Sequence, residues 1–462
     1  MMERKPNILF VFSDEHRWCD MGCYGNQTVK TPNLDKFARD GVVFDHCISN
    51  TPVCVPARGL LMTGVYPLNH GAVTNDLPIK NDIESIASVM NDNEYHTGYI
   101  GKWHLAGIPR DQAVIKEKRL GFTEWKVSNC CHSYMDSYYY DENNHFVKID
   151  GYEPIEQTNL ALDFIKRNSD KPWGLVLSWA PPHEPYRHIP KENLDEYEGI
   201  EITLRDNVPE QIQQPKQNKE AKYATKDEII KDHQAYYANI TELDRQFGRL
   251  INHLEETNQL ENTIVVYTSD HGTMLGSQGV INKQWHYDES IRVPFIISWK
   301  GKTLQCKRHD LFGLIDLPVS LLGLAGMNFS GEIDGTDLHK LFIDKDAKGI
   351  EACYILDLIP CHQSANRNGT EWRGIRTKQY TFARTASDEG FALYDNDKDP
   401  YQMTNVLNQK EYKLVKQKLM KQLDEFVSKH DKLLPWEDFI REFGLKEEWN
   451  QSQEYFQLPL LV

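Results

Sequence analysis

The sequence predicts an α/β sandwich built on a largely parallel central sheet flanked by helices, with a smaller α+β subdomain at its C-terminal end. Three observations predict it. Short apolar runs alternate with helical patterns through the first three-quarters of the chain. Several of those runs are apolar throughout, as strands covered on both faces must be. After about residue 345 the pattern changes to short strands followed by one long amphipathic helix. The implied division is 1–345 and 346–462.

Taken in order, strands are expected at 7–12, 97–100, 173–179, 263–268 and 293–299. Thr31-Pro32 supplies an N-cap and a proline at the first helical position, and Gly41 closes that helix. Residues 83–91, 155–167 and 226–256 carry helical periodicity. Segment 191–225, with Pro209 and Pro215, is polar and irregular and reads as a long surface excursion, a lid or substrate loop. Further on, 372–382 and 390–394 read as strands and 410–429 as a helix. No repeats or low-complexity segments interrupt this order.

Composition bounds the function. At roughly 100–200 residues per domain, 462 residues suggest two or three structural units. With 40% hydrophobic and 26% charged residues, the chain has the make-up of a soluble globular protein with a large core. A net charge of −16 argues against nucleic-acid binding, which needs a basic face. An anionic substrate is still admissible wherever cations converge. The nine cysteines are odd in number and irregularly spaced, so no disulfide framework emerges. Cys19 and Cys23 lack the second pair that a tetrahedral zinc site needs. Reduced thiols in the cytoplasm are therefore expected. The opening residues show no secretory signal, and the location would be periplasmic or secreted only if one had been removed. No apolar run approaches the ~20 residues that span a bilayer, so no membrane association is expected.

The chemistry gathers at strand ends, where ligands bind in open α/β sheets. The first strand leads into Ser13-Asp14-Glu15, and the second into Gly101-Lys102-Trp103-His104. The third leads to Pro182-His183-Glu184-Pro185, and the fourth into Ser269-Asp270-His271-Gly272. Asp14, Glu15 and Asp270 would make a hard oxygen site for Ca²⁺ or Mg²⁺, and imidazole beside them would also suit Mn²⁺ or Zn²⁺. Singly, such acids are commonly turn formers, such histidines structural and such lysines solvated. Their joint placement carries the reading.

Cys54-Val55-Pro56-Ala57-Arg58 adds a thiol at a helix N-terminus, with Pro56 where a helix begins and Gly64 where it ends. Free N–H groups there suit an anion, and Arg58 can fork onto its oxygens. The bland reading is a buried thiol before a helix. At roughly 5% usage for Pro and Arg, nine cysteines yield about 0.02 chance matches to Cys-x-Pro-x-Arg.

With these motifs in this order, the chain resembles the type I sulfatases of the alkaline phosphatase-like superfamily over nearly its whole length. The resemblance rests also on residues 7–17, Thr31-Pro32-Asn33-Leu34-Asp35, Lys283, the run from Glu289 to Pro294, and Leu393-Tyr394-Asp395 through Asp399-Pro400. It implies an alkaline phosphatase-like fold and hydrolysis of a sulfate ester on a carbohydrate or a small aryl or alkyl alcohol. It implies that a maturase oxidises Cys54 to formylglycine, whose hydrate attacks sulfur with one hydroxyl and expels sulfate with the other. By the same resemblance Asp14, Asp270, His271 and modified Cys54 hold one divalent metal, Ca²⁺ first, with Glu15 as a further ligand. Arg58 stabilises the attacking oxygen and Lys102 the sulfate oxygens. His104 takes the proton of the second hydroxyl, and His183 and Lys283 bind sulfate and support departure of the alcohol.

Two departures qualify it. Glu15 stands where many relatives have a second Asp, and His271 where Asn is frequent. Glu15 keeps open a phosphonate monoester or phosphodiester hydrolase using the same nucleophile. From another class, a non-catalytic binding protein would keep Cys54 as a thiol, but it would not need the proton-transfer set Lys102, His104, His183 and Lys283. Specificity is expected in loops 130–140 and 191–225, where Tyr138, Tyr139 and Tyr140 could stack on a ring or simply pack.

Overall fold

The computed structural model describes residues 4–213, 223–361, 370–387 and 390–457. An eleven-stranded sheet forms its centre. Five adjacent strands run parallel in the order Thr263–Ser269, Asn7–Asp14, Trp173–Pro182, His96–Lys102 and Glu124–Ser128. Phe10 lies opposite Val266 on one side and Val176 on the other, which brings all the carboxyl ends to one edge. Antiparallel strands extend the sheet both ways. Phe295–Trp299 and Val42–Ile48 lie beyond Thr263–Ser269, and the hairpin Tyr138–Tyr140 with Phe146–Lys148 lies beyond Glu124–Ser128.

Alternation along the first strand divides the core in two. Ile8, Phe10 and Phe12 face a layer with Leu61, Met62, Ile86, Val89 and Leu321. Leu9 and Val11 face helices Pro32–Arg39, Glu153–Arg167 and Lys226–Glu256 through Leu34, Phe164, Leu243 and Phe247. The predicted α/β sandwich is therefore what forms.

The differences have local causes. Pro294 has no N–H for a ladder, so the expected 293–299 strand splits into Arg292–Val293 and Phe295–Trp299. The expected 83–91 helix begins at Ile86, because Ser85 and Ser88 close a capping box ahead of it. Residues 372–382 form two strands, Trp372–Thr377 and Tyr380–Arg384, turned where the Tyr380 N–H donates to Thr377 Oγ1 at 2.8 Å. Segment 191–225 is not simply a surface excursion. Ile202, Val208 and Ile212 are buried, and Ile212 pairs with Ala224 beside the long helix. Residues 214–222, including Pro215, lie outside the described residues.

Beyond residue 345 a second sheet runs antiparallel in the order Ala352–Asp357, Trp372–Thr377, Tyr380–Arg384 and Ala392–Asp395. Helix Lys413–His430 covers it with Leu419, Leu423 and Val427, in a core that also takes in Leu60, Tyr66 and Ile315. Arg373 Nε lies 2.6 Å from Asp431 Oδ2, both side chains fully buried, and the Tyr354 hydroxyl donates to the same carboxylate at 2.9 Å. Removing one member of such a pair strands a charge, so Asp431→Ala should lower stability by about 3–5 kcal/mol. A urea midpoint close to that of the wild type would count against it. Among the described residues no helix is long and apolar enough to cross a membrane.

Candidate active site

Four parallel strands deliver their terminal residues to one place. Asp14, Lys102 and His183 end or follow Asn7–Asp14, His96–Lys102 and Trp173–Pro182, and Asp270 and His271 follow Thr263–Ser269. Helix Cys54–Thr63 points its N-terminus at the same edge, with Gly64 closing it at a φ of 69°. One of the N–H groups expected to be free there is occupied: Val55 N–H donates to Asn75 Oδ1 at 3.1 Å. Gly101 is required beside Lys102, because at its φ of 107° a Cβ would lie 2.0 Å from the Ser178 carbonyl oxygen.

Asp14 is the hub. Its Oδ2 lies 2.5 Å from Lys102 Nζ and 3.0 Å from Arg58 Nη2, and its Oδ1 lies 3.7 Å from Cys54 Sγ. Burial pushes this carboxyl up, but the Lys102 and Arg58 cations against it outweigh that and hold it well below the usual carboxylate range. Arg58 is fixed on every side. Nη1 donates to the Lys102 carbonyl and to Ser178 Oγ, both at 2.8 Å, while Nε sits 3.1 Å from Asp270 Oδ2. Burial, with Asp14 adding to it, pushes the Cys54 thiol up, so it stays protonated at neutral pH.

Asp14, Cys54, Asp270 and His271 each offer a donor atom, all within 4.8 Å of one another. His271 Nδ1 lies 2.8 Å from the Gly272 carbonyl, which assigns the proton to Nδ1 and leaves the Nε2 lone pair facing Cys54 Sγ at 3.3 Å. A backbone carbonyl holding the far nitrogen is the usual support of a metal-ligating histidine. Asp270 Oδ2 is buried and meets the Arg58 charge at 3.1 Å without hydrogen-bond geometry. This donor set fits a divalent cation.

Glu15 lies outside this group but shares Asp14 with a second one. The donor atoms of Asp14, Glu15 and His183 also lie within 4.8 Å of one another, and Glu15 Oε2 is buried without a hydrogen bond. Its Oε1 is taken by Lys283 and lies 3.2 Å from His183 Nε2. Its backbone φ of 68° is in the left-handed region, held there by Tyr236 OH donating to its carbonyl at 2.6 Å. Burial and Lys283 keep His183 well below its ordinary pKa. The neutral ring then donates from Nδ1 to the Glu184 carbonyl at 2.7 Å and accepts from Lys283 Nζ at Nε2, also 2.7 Å. Burial would neutralise Lys283, but Glu15 holds it charged.

His104 follows its strand end at a φ of 61°, beside Cys130, and neither ring nitrogen makes a hydrogen bond of good geometry among the described residues. Behind it Asp76 Oδ1 lies 3.7 Å from Nε2, and Arg110 grips Asp76 with two bonds of 2.7 and 2.9 Å. None of the ten residues predicted for the site is more than 3% exposed. Asp14, Glu15 and Asp270 therefore balance Arg58, Lys102 and Lys283, and a divalent cation would tip the pocket positive on an acidic protein.

Sequence reasoning missed Asp76, Arg110, Ser178 and His132, whose ring packs edge-on against His183 at 4.4 Å. None sits in a motif, and only the expected specificity loop 130–140 took in His132.

Comparison with known proteins gives the family. The sulfatase family profile matches residues 6–327, and the C-terminal profile of N-sulphoglucosamine sulphohydrolase matches 276–429. The chain is 35% identical to an ulvan-active sulfatase of Formosa agariphila, over 91% of this chain and 81% of that protein. It is 28% identical to an endo-4-O-sulfatase of Bacteroides thetaiotaomicron, over 87% and 88% respectively. The crystal structure of yidJ from Bacteroides fragilis superposes with a TM-score of 0.83 at 28% identity, covering 94% of this chain and 98% of that one. With a metal-compatible donor group, a motif cysteine and buried cations at one sheet edge, the chain belongs to the sulfatase family of the alkaline phosphatase-like superfamily and is a sulfuric ester hydrolase.

Proposed function

We propose that the protein hydrolyses a sulfate ester of a glycan through formylglycine made from Cys54 by a maturase. The observation that carries this reading is the convergence on Cys54 of Asp14, Asp270 and His271 with Arg58 and Lys102 alongside. The ulvan-active sulfatase and the endo-4-O-sulfatase among its relatives support a sulfated glycan as the substrate.

In the oxidised, hydrated form the Cys54 side chain supplies one hydroxyl for attack on sulfur and a second for release of sulfate. Asp14, Asp270, His271 and the oxidised Cys54 would hold the metal, Ca²⁺ in our reading, which supplies Lewis acidity toward the sulfate oxygens. Glu15 serves instead to keep Lys283 charged. Arg58, locked by Ser178 and the Lys102 carbonyl, stabilises the attacking oxygen. Lys102 binds a sulfate oxygen. Lys283 donates to the bridging oxygen as the alcohol leaves, and neutral His183 aligns it. His104, backed by Asp76 and Arg110, takes the proton of the second hydroxyl as sulfate departs.

The test compares matured enzyme on 4-nitrophenyl sulfate and bis(4-nitrophenyl) phosphate, and follows sulfate release from sulfated oligosaccharides. Aryl sulfate should be turned over at least about tenfold faster than the diester, a gap of ~1.4 kcal/mol in barrier, and at least one oligosaccharide should lose sulfate. Faster diester hydrolysis, or no glycan substrate in a broad panel, would overturn the proposal.

A further inference from the structure

The segment that closes one side of the site runs on into an unexplained aromatic surface. The Asn129 carbonyl accepts the His104 N–H at 2.6 Å, Cys130 Sγ lies 3.2 Å from His132 Nε2, and His132 packs on His183. The chain then enters strand Tyr138–Tyr140, paired antiparallel with Phe146–Lys148. Tyr138 lies opposite Lys148 and Tyr140 opposite Phe146. Side chains alternate across a strand, so Tyr138, Tyr140, Phe146 and Lys148 share one face, and Tyr139 and Val147 take the other.

The rings form a cluster. Tyr138 stacks on Phe146 with centroids 5.1 Å apart and planes 26° apart, and Tyr140 meets Phe146 edge-on at 5.6 Å. The Tyr140 hydroxyl donates to the Asp111 carbonyl at 3.1 Å, next in sequence to the Arg110 that grips Asp76. The surface is thus tied to the loop behind His104. Packing explains the half-buried tyrosines. It does not explain Phe146, 58% exposed on the last strand of the sheet beside exposed Lys148. Exposed apolar surface of this kind marks a ligand site more often than isolated exposed residues do.

Charge argues for the occupant. The protein carries −16 overall and repels a polyanion at a distance, so an anionic chain leaving the site needs local compensation. In the hairpin turn Glu142 is paired with Lys126 at 2.7 Å, and Asp141 is turned inward onto the Asn143 and His145 N–H groups at 2.9 and 2.8 Å. Lys148 has no such carboxylate partner among the ion pairs of the described residues. Six residue steps separate His132 from Tyr138, at most about 21 Å of chain, a span that a short oligosaccharide can bridge.

We propose that this face is a secondary binding surface for a sulfated glycan chain. A sugar ring lies on Phe146 and Tyr138, and Lys148 meets a sulfate or carboxylate of the same chain while another ester occupies the active site. The proposal rests on the glycan-sulfatase reading above and names a polymer, not a monosaccharide, as the preferred substrate.

Two measurements test it. In native affinity electrophoresis through gels containing ulvan or chondroitin sulfate, Cys54→Ala protein, which cannot turn over, should be retarded by at least one polymer. The additional changes Phe146→Ala or Lys148→Ala should remove most of that retardation. In wild-type Cys54 background, the same two surface substitutions should leave kcat/KM on 4-nitrophenyl sulfate within twofold and raise KM on the polymer about five- to tenfold. Equal retardation of parent and Phe146→Ala, or no retardation by either polymer, overturns the surface. Failure of the active-site reading is distinguishable, because it would show as absent sulfate release with retardation intact.

Discussion

Cys54→Ala should lower turnover of 4-nitrophenyl sulfate by at least about 10⁴-fold, because it removes the side chain that supplies the nucleophile in the proposed mechanism. Cys54 is 1% exposed, at the first residue of its helix, with Asp14 and His271 at 3.7 and 3.3 Å. Its unmodified thiol is pushed up by burial, so protein made without maturase should be as inactive as the alanine variant. The alanine side chain loses only a sulfur atom, and the thermal midpoint should stay within a few degrees. Mass spectrometry of the peptide spanning Cys54 completes the test, with aldehyde present in active protein and thiol in inactive protein. Full activity from protein carrying only the thiol would end the formylglycine proposal.

Asp14→Asn should abolish both activity and the response to Ca²⁺. In the proposed site the carboxylate is at once a candidate metal donor and the counter-charge of Arg58 and Lys102. An amide of the same shape leaves two buried cations short of an anion, a loss on the order of 3–5 kcal/mol. Wild-type protein should gain thermal stability with Ca²⁺ by mass action, and the variant should not. The pH dependence has a definite sign. The Asp14 pKa is depressed in the fold, so its contribution is complete above the unfolded value and is lost as pH falls below about 4 toward the folded one. The variant should show a shallower loss across that acid range. A midpoint that rises with Ca²⁺ as in the wild type would remove Asp14 from the metal site.

Most of the parallel core was legible in the sequence because its strands are buried on both faces and read as unbroken apolar runs. Val42–Ile48 was not, because Asp45 and His46 interrupt its apolar pattern. Glu124–Ser128 was not either, because its buried residues alternate with Glu124 and Lys126 over only five positions. The expected loop 191–225 proved partly packed, since a few isoleucines and a valine spaced among polar residues have no period until a long helix supplies the surface they cover.

By itself the sequence determined the chemistry of the site: a cysteine at a helix start, an arginine four residues on, and acids, lysines and histidines at four strand ends. Those features are local, set by caps, periodicity and the rule that strand ends face one edge. Only the tertiary structure decided which of these groups pair. Glu15 meets Lys283 across 268 residues of chain, and His183 is neutral because it is buried and Lys283 lies against it. Asp76 and Arg110 stand behind His104, and Phe146 joins the tyrosines on one face of the hairpin. Such contacts depend on strand order and register, and a charge pair has no sequence period. Coulomb interaction and desolvation act through distance and burial, and folding alone sets both.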